Sequence, residues 1–344
     1  MEVHRIALGN TVFEGANNAY LFDGESTVLL DTGEAIDQTR DALTAGLEAH
    51  GHTFADIDAV VLTHYHADHS GLAGEIQAAS DAPVYAHRAD APLIAGDADA
   101  WAAFEATQRR LFDAWGMPED AQAELLAFLE AGADAGIYGE PVDVTPIEGG
   151  DTLEFGAFVL ETHHAPGHSA GLCCFSVTDR PGELYTGDAL LPEYTPNVGG
   201  ADVRLEGALA AYVDTREWLI EAAFDRAWPG HRDPIDDPAA RARYILEHHE
   251  ERTHRVATAL DRLGPATAWR VSDALFGGLR NIHILHGPGE AHAHLEHLRE
   301  QGAVVREEPA DEPWTYALTA EGQDHLESLE DGTAGDRWPL ETAT

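Results

Sequence analysis

Thr63-His64-Tyr65-His66-Ala67-Asp68-His69 places four metal-ligand side chains within six residues. The run directly follows Ala59-Val60-Val61-Leu62, an apolar stretch that reads as a buried strand, and it leads into a helix expected over Asp68–Ser80. In extended backbone, residues two apart point the same way, so His64 and His66 can share one cation. Asp68 and His69 open the helix and turn toward a different point a few ångströms away. Such a spacing suits two adjacent metals.

Three further segments repeat one arrangement, a strand ending in a ligand-bearing loop. Pro166-Gly167-His168-Ser169 follows a strand at Phe158–Thr162, and Thr186-Gly187-Asp188 ends one at Glu183–Thr186. Pro229-Gly230-His231 follows a short strand at Ala227-Trp228. Loops held at strand ends by a rigid sheet are a usual place to gather ligands, and glycine lets the backbone turn sharply beside them.

Outward from these loops, residues 1–240 alternate β-type runs with helical ones. Strands are expected at His4–Ala7, Ala19–Phe22, Thr27–Leu30, Val84–Ala86, Val142–Ile147 and Leu172–Val177, and helices at Ile36–Ala49 and Gly207–Ala223. Residues 97–139 break the alternation with two amphipathic helices separated at Gly116-Met117-Pro118. They read as plain core or as a helical insert over a substrate cleft. A long helix from Pro238 to Leu263 links to a C-terminal unit within 241–344. There, helices at Ala268–Leu275, Leu279–His286 and Glu290–Gln301 precede a hairpin of Ala303–Glu307 and Thr315–Leu318, the order of a winged helix. At about 150 residues per domain, 344 residues agree with two domains.

The ordered set of loops resembles the metallo-β-lactamase superfamily over roughly residues 1–240. The resemblance implies an α/β fold of four layers, an αββα sandwich with a binuclear metal site at one edge. It assigns His64, His66 and His168 to one metal, Asp68, His69 and His231 to the second, and Asp188 to a bridge between them. Asp68 and Asp188 are thereby read as catalytic groups as well as ligands. Asp31, in Leu29-Leu30-Asp31-Thr32-Gly33, matches a further family position that fixes a loop or a ligand imidazole.

Five imidazoles and two carboxylates without a thiolate suit Zn²⁺, two per chain, with Fe or Mn as substitutes. Metal binding lowers the pKa of water from 15.7 towards ~7, so a hydroxide bridging two metals needs no Ser or Cys nucleophile, and hydrolysis is the default reaction.

Asp188 stands where common zinc β-lactamases carry Cys, which argues against antibiotic hydrolysis. The ligand set is similar to those of glyoxalase II, the acyl-homoserine lactonases and RNA-cleaving branches, and the whole chain looks like the β-lactamase-like protein 2 subgroup with a C-terminal winged helix. Leu190–Asn197 looks like that subgroup's loop beside the metals, and within it Tyr194 is a candidate oxyanion donor or a rim residue. The expected substrate is a small ester, thioester or lactone. The alternatives are a metal-dependent endoribonuclease on single-stranded RNA and a mononuclear iron persulfide dioxygenase.

Composition narrows these classes. Asp plus Glu total 62 against 20 basic residues, a net charge of -42, and all 20 basics are Arg. Such a surface repels phosphate backbones. The helix expected over Glu290–Gln301 carries three Glu and one Arg, so nucleic acid is not an expected partner. That unit is expected to pack on the catalytic domain or on a second subunit in a homodimer.

No run approaches the ~20 apolar residues of a membrane span, and Met1–Arg5 shows no export signal. The two cysteines, Cys173 and Cys174, are adjacent, which disfavours a disulfide between them and fits a reducing cytoplasm. The lysine-free acidic composition resembles halophilic cytosolic proteins, whose self-repulsion is screened over ~3 Å at 1 M salt. Transfer to dilute buffer is therefore expected to unfold the chain. Cooperative melting in low salt, followed by circular dichroism, would refute that.

Overall fold

Short apolar runs such as Val28–Leu30 and Ala59–Val61, buried along their whole length, and alternating ones such as Phe158–His164 give this chain two sheets that share an apolar core. The computed structural model describes residues 1–9, 15–330, 335 and 337–340. The chain divides into two compact units. The first comprises 1–102, 131–196 and 219–241, and the second comprises 103–130, 197–218 and 242–344.

The first unit starts with β1 (Glu2–Ala7), β2 (Asn18–Asp23), β3 (Val28–Leu30), α1 (Asp37–Glu48) and β4 (Ala59–Val61). Next come α2 (Ala67–Ser70), α3 (Ala73–Ser80), β5 (Val84–His87) and α4 (Ala91–Ile94). Helices α5 (Ala98–Ala114) and α6 (Glu119–Asp134) each run from one unit into the other. The first unit resumes with β6 (Val144–Ile147), β7 (Thr152–Phe155), β8 (Phe158–His164), β9 (Cys173–Val177) and β10 (Glu183–Gly187). After α7 (Ala208–Ala222) it closes on β11 (Arg226–Pro229).

One sheet has the order β1-β2-β3-β4-β5-β6 and the other β11-β10-β9-β8-β7. Strands β3 to β6 are mutually parallel, as are β10 and β11. Pro146 lies in β6, an outer strand, where a missing N–H is tolerated. Tyr20, Phe22, Leu30 and Val61 from the first sheet join Phe158, Leu160, Phe175 and Tyr185 from the second in one buried core. Leu43 and Leu47, four apart on α1, are fully buried, so that helix covers the sheet with its apolar stripe. The mixed α/β sandwich expected from the sequence is the architecture found.

The second unit contains most of α8 (Pro238–Leu263), then α9 (Ala268–Phe276), α10 (His283–Glu300), the hairpin β12 (Val304–Glu307) and β13 (Thr315–Leu318), and α11 (Ala320–Glu330). Its buried residues include Phe112, Trp115, Tyr212, Ile245, Leu260, Leu295 and Tyr316.

Two sequence expectations need correction. The separate helices expected at Leu279–His286 and Glu290–Gln301 are one helix, α10, with Pro288 inside it. Gly287-Pro288-Gly289 reads as a break, but Gly289 serves a close approach, since a Cβ there would meet the backbone of Gly200 at 2.3 Å.

Conversely, the single helix expected over Asp68–Ser80 is two, α2 and α3. The Leu72 N–H donates to Gly33 O at 3.1 Å and to Thr32 Oγ1 at 3.2 Å, while the Asp68 carbonyl accepts from Asn17 Nδ2 at 2.9 Å. Tertiary partners therefore replace the i→i−4 bond at this point.

Gly71 sits at the break, where a Cβ would meet Ile137 O at 2.5 Å and Ala35 N at 2.6 Å, both backbone atoms that cannot swing aside. Gly71→Ala should cost roughly 1–3 kcal/mol through overpacking. A melting temperature equal to that of the parent chain in the same salt would contradict this.

Candidate metal centre

Asp31 ends β3 in the left-handed backbone region, at φ 58°, and its carboxylate is buried. Oδ1 accepts from the Thr63 N–H at 2.8 Å. Oδ2 accepts from Thr63 Oγ1 at 2.9 Å and from His69 Nδ1 at 2.9 Å. A carboxylate can only accept, so His69 carries a proton on Nδ1, and Nε2 is the nitrogen left to face a metal. Thr63 Oγ1 spends its proton on Asp31, so at 3.0 Å it accepts from His64 Nδ1, which leaves a lone pair on His64 Nε2. His231 Nδ1 donates to Gly15 O at 2.9 Å and turns Nε2 inward. Three imidazoles are thus set in the tautomer a cation requires.

The ring nitrogens converge in two groups. His64 Nε2 lies 2.8 Å from His66 Nδ1, and His168 Nε2 lies 3.1 Å from the same atom. His69 Nε2 and His231 Nε2 lie 3.8 and 3.5 Å from Asp68 Oδ2. Asp188 stands between the groups. Its Oδ1 is 3.4 Å from His69 Nε2, and its Oδ2 is 3.6 Å from His168 Nε2 and 3.3 Å from His231 Nε2. Donor atoms of His64, His66 and His168, of His64, His69 and Asp188, and of Asp68, His69 and His231 each fall within 4.8 Å of one another.

The donor set fits metal ions. His69 Nε2, His231 Nε2 and Asp188 Oδ1 are buried without a hydrogen-bond partner, a costly state unless something bonds them. Burial, with His168 beside it, pushes the His66 imidazole down to about 3, which keeps it in the neutral, ligating form. Burial and the neighbouring rings of His69 and His66 hold His64 well below its ordinary value too. Burial alone would raise the Asp188 carboxyl, but His231 and His69 beside it hold it well below the usual carboxylate range. Burial opposes charge on His69, yet Asp188, Asp68 and Asp31 push it well above its ordinary value. Divalent cations would supply the same compensation to these carboxylates.

Two glycines make room for the arrangement. A Cβ on Gly230 would sit 2.6 Å from both Asp188 Oδ1 and His69 Cε1, and one on Gly187, at φ 46°, would sit 2.7 Å from Thr63 Cβ.

Of the residues singled out in the sequence, Tyr194 is placed differently from the other eight. It is 51% exposed, and its ring packs under the Arg232 guanidinium at 4.7 Å. Sequence reasoning missed Asp90 and Asn17. Asp90 is fully buried, and its Oδ2 accepts from the Tyr65 N–H at 3.1 Å and from Ser169 Oγ at 3.2 Å. One carboxylate thereby ties the His64–His66 loop to the His168 loop. Its position just beyond β5, beside β4, is the signal that could have found it. Asn17 Nδ2 donates to Asp68 Oδ2 at 3.2 Å as well as to its carbonyl.

Asp90→Ala should weaken metal binding about 10–100-fold, as loss of a ligand-orienting partner does, with the far-UV spectrum unchanged. Unaltered affinity in a zinc titration would show that Asp90 does not position the loops.

Comparisons with known proteins agree with this geometry. The profile described as "Metallo-beta-lactamase superfamily" matches residues 12–231. "Probable metallo-hydrolase YqjP" of Bacillus subtilis is 28% identical over 302 residues, covering 83% of this chain and 88% of its own length. "Atrochrysone carboxyl ACP thioesterase" of Emericella nidulans is 23% identical over 257 residues, covering 74% of this chain and 64% of that protein. The crystal structure of the metallo-beta-lactamase family protein TTHA1429 from Thermus thermophilus superposes with a TM-score of 0.77 at 30% identity, covering 92% of this chain and 98% of that one. With its sandwich, its strand-end histidines and a matching profile over most of its length, the chain belongs to the metallo-beta-lactamase superfamily.

Proposed function

We propose that this protein is a binuclear zinc hydrolase of small acyl esters, thioesters or lactones. The observation that carries the reading is the convergence of seven ligand-type side chains around buried, unpaired atoms of His69, His231 and Asp188. His64, His66 and His168 would hold one zinc, Asp68, His69 and His231 the other, and Asp188 both. Bound there, zinc supplies Lewis acidity to a scissile carbonyl oxygen and to water.

The chain's own residues do the positioning. Asp31 and Thr63 keep lone pairs on His64 and His69 facing inward. Asp90 keeps the His66 and His168 loops in register. Asn17 anchors the Asp68 carboxylate. Tyr65 lies beside His66 with ring centroids 4.5 Å apart and planes tilted by 58°, and Trp101 and Tyr138 continue the aromatic group at 6.4 and 5.1 Å. An aromatic wall beside the centre suits an acyl chain. The name of the Emericella nidulans relative, a thioesterase, points to the same bond class. A net charge of -42 opposes a polyanionic substrate.

The test is a panel of thioesters, lactones, phosphodiesters and RNA, offered to zinc-loaded protein at molar salt. Acyl substrates should turn over, the activity should vanish on chelation and return with zinc, and His66→Ala and Asp188→Ala should abolish it. Exclusive cleavage of RNA, or acyl turnover that survives both substitutions, would overturn the proposal.

A further inference from the structure

The second unit holds another group of ligand atoms, contributed by α8 and α10. His249, Glu290 and His294 each offer an atom within 4.8 Å of the other two. Both imidazoles are buried, His294 completely and His249 at 1% exposure. Their facing atoms, His249 Nδ1 and His294 Nε2, are 3.3 Å apart, with the rings inclined by only 27°. Two nitrogens bound tetrahedrally to one zinc at ~2.0–2.1 Å stand ~3.3 Å apart.

The hydrogen bonds around the pair set one tautomer. Thr253 Oγ1 donates to the His249 carbonyl one helical turn back, at 2.8 Å. Its proton being spent, it accepts from His294 Nδ1, also at 2.8 Å. His294 therefore faces His249 with a lone pair on Nε2. Burial and the neighbouring imidazole or guanidinium groups hold both rings well below their ordinary values, in the neutral form that ligates. The remaining ring nitrogen, His249 Nε2, is buried without a hydrogen-bond partner. Arg252 forms an ion pair with Glu290 and steadies the third ligand. Glu290 and His294 are four apart on one helix, as are His249 and Thr253 on the other, so each helix presents its pair on a single face.

We propose that His249, Glu290 and His294 form a further divalent-cation site, of the zinc class, that clamps α8 to α10 and takes no part in catalysis. Two imidazoles and one carboxylate make a borderline N₂O set that suits Zn²⁺ over Mg²⁺ or Ca²⁺. The competing arrangement is a single proton shared between the two rings, with no metal.

The experiment counts ions. Full-length protein is stripped with a chelator, dialysed against zinc at molar salt and assayed by elemental analysis. The parent chain should carry one zinc more than Glu290→Gln or His294→Gln, whatever number the main centre holds, and His66→Ala should keep that extra ion. Thr253→Val, which removes the hydroxyl that sets the tautomer together with its bond to the His249 carbonyl and touches no ligand atom, should lower the affinity of this ion about 10–100-fold. In the His66→Ala background zinc should raise the melting temperature, and adding Glu290→Gln should make that rise smaller. Should His294→Gln fail to fold, Glu290→Gln and Thr253→Val decide the matter. Equal zinc content in the parent and Glu290→Gln, or a zinc affinity unchanged by Thr253→Val, would overturn the site and leave the shared proton as the explanation.

Discussion

One buried carboxylate organises the candidate centre. Asp31 accepts a backbone N–H, a hydroxyl and an imidazole N–H, and through these bonds it orients two of the five histidines. Its left-handed backbone, unusual for a residue with a side chain, aims the carboxylate back toward β4. Without an acceptor at that position, His69 and Thr63 would each lose the partner that decides which atom carries the proton. The inward lone pairs would then cease to be dictated.

Parallel strands explain why the remaining groups arrive at one place. Asp31 follows β3, the His64–His69 run follows β4, Asp90 follows β5, and His231 follows β11. These are carboxyl ends of strands paired in parallel within their sheets. The two sheets are tied near the same edge by bonds such as Cys173 N to Thr63 O, at 2.9 Å, and Asn18 N to Gly230 O, at 2.8 Å. Rigid sheet ends and glycine at Gly187 and Gly230 let the loops approach more closely than side chains at those positions would permit.

Much of this was legible along the chain. The four ligand-type residues in the His64–His69 run announce themselves, because an extended segment followed by a helix start permits little else for that spacing. The strand-end glycines flag His168, Asp188 and His231. Asp90 escaped because a single aspartate after a short strand looks like any helix-opening residue. Its importance lies in reaching Tyr65 and Ser169, which are 25 and 79 residues away. The interruption between α2 and α3 and the continuity of α10 through Pro288 were misread for a related reason. Local propensity describes what a segment does with its own neighbours, whereas Leu72 bonds Gly33, and Gly289 is shaped by the backbone of Gly200.

The amino-acid order by itself determined the alternating pattern that makes a sandwich, the acidity that opposes phosphate-bearing partners, and the kind of chemistry the histidine run can support, since these depend on residue type and short-range spacing. Only the tertiary structure decided which nitrogen of each imidazole faces inward, which buried carboxylates hold the loops, and that His249, Glu290 and His294 meet. Those outcomes depend on hydrogen-bond partners and close contacts between segments tens to hundreds of residues apart, and no local pattern encodes such distances.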